Sequence, residues 1–252
     1  MTLGMGLWVL THLRVAEGRL AEARKSAAEL EAVVLDLSPL NWWASVMHSV
    51  AELAVADGDS HGAITVCEEA ILRMRQTTPE LLARYYATKG EALASLGDLD
   101  HAREDLAVVV DATAPNDAPS DRARALVTLV HVERGEGRPD DAEDHAHEAL
   151  RLSRPMGHKR GVVDALEVLA CCVVDAERPA EAACLLGAAD ALRRATGYQY
   201  RSPLAQRPIA ASVVALDAAL SAEGRDRAWA EGEVLSVDDA CEYAATGLGR
   251  RM

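Results

Sequence analysis

Two arginines and a scatter of histidines and carboxylates carry most of the chemistry this chain could offer. Arg84 and Arg124 stand forty residues apart in a protein with 26 basic and 40 acidic residues, a formal net charge of −14. Such a pair of guanidinium groups could clamp a carboxylate. Asp141 and His145 lie four apart, a spacing that could place two metal ligands on one helix face, although a solvated helix surface explains them as well. His147 sits two residues further on and faces another way. Cys67, Cys171, Cys172, Cys184 and Cys241 lack metal-ligand spacing and read as reduced core thiols. No GxSxG or HExxH motif marks a nucleophile or a zinc-bound water, and no GxxxxGK[ST] loop is present to cradle a phosphate. The sequence gives no reason to expect an enzyme, a cofactor or a metal ion.

The charge balance also excludes partners. An acidic surface repels phosphate backbones, so direct nucleic acid binding by this chain is not expected. No segment has the uninterrupted apolar length needed to cross a bilayer. Met1 to Leu10 is apolar without a basic leader and runs into His12 and Arg14, which reads as an amphipathic helix and not as a signal peptide. The expectation is a cytoplasmic protein without membrane contact.

The elements that must position these residues repeat. Gly18, Gly58, Gly97, Gly137 and Glu177 are turn positions at steps of 40, 39, 40 and 40, and an alanine follows each by five residues. At the fourth turn, Pro139-Asp140-Asp141 opens a helix with a fixed φ and acidic residues at its positive end. Half the residues are hydrophobic, but only 4% are aromatic and Phe is absent. A core of Ala, Leu and Val suits helices that approach closely. A period near forty built on helical hairpins predicts an all-α solenoid. Residues 1–196 would form five helix pairs, with breaks at Ser38-Pro39 and at the Ala114–Pro119 linker. The period fails after Gly197. Residues 197–252 would form a helical capping segment with helices near Pro208–Ala222 and Arg225–Glu231, then a capping box at Ser236–Asp239. Arg250-Arg251 reads as a frayed terminus. Adjacent Trp42 and Trp43 cannot share a helix face, so one packs on the preceding repeat and the other stays partly exposed.

Aligned on the turn, the units resemble lengthened tetratricopeptide repeats (TPRs). Small residues recur five and often twelve positions past it, as in Ala63 and Ala70, Ala142 and Ala149, and Ala182 and Ala189. The small position inside the first helix is Thr11, Ala51, Gly90 and Ala170, with Val130 as the departure. Ala183–Arg193, Ala228–Gly232 and Leu235–Ala244 are similar to the closing segment of large bacterial ATP-dependent transcription regulators of the LuxR type, which include the MalT-like proteins. The resemblance spans nearly the whole chain, and its motifs are packing motifs. In that family a nucleotide-binding module precedes the repeats and a helix-turn-helix domain sits at one end. Neither is expected here, so ATP hydrolysis and DNA binding do not carry over; a sensory or partner-docking role does. The alternative is a stand-alone adaptor that binds a protein partner and has no link to transcription.

The TPR resemblance implies that the first helix of each pair lines an inner, concave surface. Six residues before each turn stand His12, Glu52, Glu91, His131 and Cys171; ten before, Trp8, His48, Ala87, Val127 and Glu167; thirteen before, Met5, Ser45, Arg84, Arg124 and Asp164. Mostly polar columns on a packed scaffold are where a solenoid takes a peptide or small effector, and simple solvation is the competing account. The candidate binding residues are therefore His12, His48, Glu52, Arg84, Glu91, Arg124, His131 and Glu167. Arg84 and Arg124 would stand on neighbouring first helices, or else merely neutralise Glu91 and Asp164.

Overall fold

The computed structural model describes residues 2–34, 40–78, 81–112 and 119–247. The expected break at Ser38-Pro39, residues 114–118 of the linker and the Arg250-Arg251 tail lie outside the described residues. Among those described there are thirteen helices and no strand, an all-α, solenoid-like fold. Five pairs come first: α1 (Thr2–Ala16) with α2 (Leu20–Val34), α3 (Leu40–Ala56) with α4 (Ser60–Met74), α5 (Leu82–Leu96) with α6 (Leu99–Ala112), α7 (Pro119–Gly135) with α8 (Pro139–Ser153), and α9 (Lys159–Asp175) with α10 (Pro179–Thr196). Three more helices follow, α11 (Pro203–Ala219), α12 (Ala222–Glu233) and α13 (Val237–Gly247).

One local device makes all five hairpins. Gly18, Gly58, Gly97 and Gly137 take φ of 73°, 79°, 82° and 72°, and Glu177 takes 58°. The next amide in each case then reaches the carbonyl four residues behind the turn position: Arg19 to Arg14, Asp59 to Ala54, Asp98 to Leu93, Arg138 to Glu133 and Arg178 to Val173, at 2.8–3.0 Å. This closure satisfies a helix-end carbonyl and needs a left-handed residue, which glycine adopts without steric cost. Glu177 holds the same geometry with a side chain, at a cost in strain. The helix that follows is started by Pro139 and Pro179 in α8 and α10, and by the Asp59 carboxylate accepting from the Gly62 amide in α4.

The alanines five past each turn, Ala23, Ala63, Ala102, Ala142 and Ala182, are all fully buried. The small position of the first helix is buried as well, at Thr11, Ala51, Gly90, Val130 and Ala170. At Gly90 a Cβ would come within 2.6 Å of Leu106 Cγ, so this helix crossing has no room even for alanine. Val130 fits at its own position, where the larger side chain is accommodated without exposure.

The chain forms two compact units. The first comprises residues 1–113 with 198–203, and the second 114–197 with 204–252. In the first, Trp43 is buried with Leu30 and Met74 while Trp42 is partly covered and meets Trp8 at 6.4 Å between ring centroids. The amides of Gln199 and Tyr200 both donate to the carbonyl of Ala16 at the end of α1. In the second, α10 packs along α9 and α12, and α13 reaches α8, α9 and α10. The contact of α10 with α12 is one of backbones. A Cβ on Gly187 would fall onto the carbonyl of Trp229, and one on Gly232 onto the carbonyl of Cys184. The Trp229 indole, by contrast, is only partly covered, so it is Gly232 and not Trp229 that sets this packing. Ser236 accepts from the Asp239 amide at 3.1 Å and donates to the Asp239 carboxylate at 2.6 Å, which starts α13.

The structure moves two helix starts, that of α12 from Arg225 to Ala222 and that of α11 from Pro208 to Pro203. α11 begins at Pro203, where a first-turn proline has no helical amide to lose, and Pro208 stands inside the helix, giving up one backbone bond.

Candidate functional site

In the first unit the expected inner column assembles into a linked polar cluster. His12 Nδ1 lies 2.9 Å from the Trp8 carbonyl, and its Nε2 lies 3.3 Å from Glu52 Oε2. The same Nε2 lies 3.4 Å from Ser49 Oγ. The same Glu52 oxygen is 3.7 Å from His48 Nδ1, and His48 Nε2 is 3.1 Å from Thr88 Oγ1. His48 also meets the edge of Tyr85, whose hydroxyl donates to the Ala44 carbonyl. Side chains from α1, α3 and α5 are thus joined across three first helices. His12 and Glu52 stay about a third exposed, whereas His48 is buried. Trp8 meets His12 in a tilted contact, 57° between ring planes and 4.6 Å between centroids. Glu91, further along α5, is nearly buried, and Arg84 is partly exposed at its start.

The second unit treats the same register positions differently. Glu167 is buried, and both of its oxygens are taken by Arg193 of α10, Nε to Oε1 and Nη2 to Oε2, each at 2.7 Å. Arg193 Nη2 also lies 3.5 Å from Asp164. A bidentate pair of this kind ties α9 to α10. His131 on α7 has both ring nitrogens closed off from solvent with no hydrogen-bond partner among the described residues, although the residue as a whole is only partly covered. Desolvation, with Arg134 nearby, lowers its pKa to about 4 against a weaker opposing pull from Glu167. Cys171, in the same column, is buried and hydrogen-bonded to Ser212. Ser212, Ile209 and Leu216 form the buried stripe of α11. The chain's own helix therefore covers that part of the column. Arg124 is partly exposed on α7, in a different unit from Arg84.

Asp141 and His145 do not face each other as a ligand pair. Arg138 donates to Asp141 at 2.8 Å, and His145 Nδ1 sits 2.8 Å from Glu133, a buried carboxylate of α7. That hydrogen bond raises the His145 pKa. The five cysteines are free and buried, and among the described residues no group of three or more His, Cys, Asp and Glu could hold a metal. Arg193, Ser212 and Glu133 are the residues sequence reasoning missed. Arg193 lies in the Ala183–Arg193 segment that carries the family resemblance, but nothing in its spacing announces Glu167 as its partner.

No family model matches the chain. Three mycobacterial proteins do, one from Mycobacterium bovis and two from Mycobacterium tuberculosis strains, each named "Putative HTH-type transcriptional regulator". Each is 36% identical over 200 residues, 79% of this chain. The chain is thus similar to part of proteins that are named as transcription regulators. It spans about a fifth of the length of these relatives, 22%. Among solved structures, the crystal structure of BtubC (BKLC) from P. vanneervenii shares the fold with a TM-score of 0.53 at 16% identity, covering 99% of this chain and 94% of that one. No helix among the described residues is long and apolar enough to cross a membrane.

Proposed function

We propose that this chain is a TPR-like, non-catalytic interaction module of a LuxR-type transcription regulator, acting in the cytoplasm. It binds a peptide or a small effector on the polar face of its first helices and neither binds DNA nor hydrolyses ATP itself. The observation that carries this reading is the homology to regulators over four-fifths of the chain, 79%. The part-exposed Trp8, His12 and Glu52 cluster in the first unit supports it with a place for the ligand: an aromatic wall beside a carboxylate flanked by two imidazoles. That surface suits a cationic or hydrogen-bond-donating group. Arg84, in the same unit, offers the opposite chemistry to a carboxylate on the ligand.

The test is affinity capture from the native cell lysate with the wild-type chain and two variants, His12→Ala/Glu52→Gln and Arg84→Ala/Arg124→Ala. Helicity and melting temperature are checked first. A retained species that both variants lose supports the reading; one that both retain unchanged defeats it. Calorimetry with ATP should show no binding, and micromolar binding removed by a substitution in this chain would contradict the non-catalytic assignment.

A further inference from the structure

α1 leaves an apolar side uncovered. Leu3, Met5, Val9, Leu10 and Leu13 are each between 41% and 66% exposed. The helix holds no carboxylate, although the protein is strongly acidic. The repeat register shows what such a face receives elsewhere in the same unit. Forty residues after Leu3 and Leu13 come Trp43 and Leu53 of α3, and both are buried. Leu53 packs with Ala23 and Ala27 of α2, and Trp43 lies in one cluster with Leu30 of that helix. The second helix of one pair thus meets the first helix of the next through a stripe at i, i+4 and i+7, the spacing of a single helix face. The contact recurs one pair later, where Ala63 of α4 packs with Ala92 of α5. Ala63 is forty residues after Ala23, and Ala92 thirty-nine after Leu53. α1 presents the receiving side of this interface with no such helix on it.

We propose that the exposed face of α1 docks one further helix of the α2 kind, with alanines four apart and a leucine three residues later, supplied by another helix pair of the same repeat. The curated relatives, of which this chain matches 22%, have ample further polypeptide to supply one. The face is a continuation of the α2–α3 interface, and its lack of acidic groups lets an Ala- and Leu-faced helix approach without burying a charge. The inference is independent of what the polar column binds.

The test extends the full chain by a second copy of residues 1–40 placed before Met1. That length sets the copied α2 on α1 in the register that α2 holds on α3. The extended protein should melt about 4 °C or more above the original, and amide exchange in the original α1 should slow at least tenfold. Leu10→Glu/Leu13→Glu in the original α1 should leave the unextended chain's melting temperature unchanged, because both residues are exposed there, and should abolish the gain in the extended one. An extended chain that melts no higher, or that gains equally with the glutamates in place, overturns the proposal. Sedimentation of the unextended chain is the second measurement. A dimer that the same glutamates dissolve would make a second copy the occupant and would overturn the proposal as well.

Discussion

The inner columns of the two units each hold a carboxylate, Glu52 six residues before its turn and Glu167 ten before, and the two have opposite fates. In the first, Glu52 shares its contacts with two imidazoles and remains partly exposed. In the second, Glu167 is buried and both oxygens are bound to Arg193. The repeat decides where a side chain stands. Its neighbours decide whether that side chain is a surface or a bolt. Glu167 has become structural because α10 supplies an arginine that reaches both of its oxygens.

The sharpest way to break this contrast is to remove each carboxylate. Glu167→Ala removes the bidentate partner of the buried Arg193, leaving Asp164 at 3.5 Å, and should cost about 3–5 kcal/mol. A loss below about 1 kcal/mol, by urea unfolding, would show that water replaces the carboxylate. Next in size is Gly232→Ala, which forces α10 and α12 apart where two backbones touch; about 2–3 kcal/mol is expected. An unchanged midpoint there would mean that α12 can slide along α10.

His131 sharpens the comparison through pH. Its folded pKa is lowered to about 4 from an ordinary value near 6.5. The folded state therefore binds fewer protons than the unfolded one. Its share of stability is intact above about pH 6.5 and is lost as the pH falls toward 4. Between pH 7 and pH 4 the wild type should lose about 2–3 kcal/mol relative to His131→Leu. Parallel pH profiles would show that the ring is hydrated or paired. The smallest effect is expected at the open column: Glu52→Ala should cost less than about 1 kcal/mol, since a partly solvated pair contributes little. A loss as large as that of Glu167→Ala would erase the distinction between the two units.

What the sequence disclosed and what it withheld follow one physical line. Turn residues and the alanines five beyond them act within a few residues of chain, so Gly18, Gly58 and Ala63 announce their roles directly. Trp42 and Trp43 could be assigned different faces from helical geometry alone. The partners of Glu167 and Cys171 lie on other helices, at separations of 26 and 41 residues, and no periodicity encodes such pairings. Gly187 and Gly232 look like weak points in helices until the opposing backbone is in view. The same holds for the site. Polar columns were legible as positions, but their accessibility depended on the side chain of Arg193, which no periodicity announces, and on α11, which lies after the repeats.

The four tryptophans are distributed unevenly: Trp8, Trp42 and Trp43 belong to the first unit, and Trp229 to the second. The molecule thereby carries two optical reporters without any label. The Trp8–Trp42 pair and the stack of Arg73 on Trp43, at 4.2 Å, should give the first unit's emission a quenched, structured character. The lone, half-covered Trp229 should emit further to the red. Replacing Trp229 with Tyr would leave a protein whose fluorescence follows only the unit bearing the open polar cluster, so that a ligand arriving beside Trp8 could be seen directly by titration.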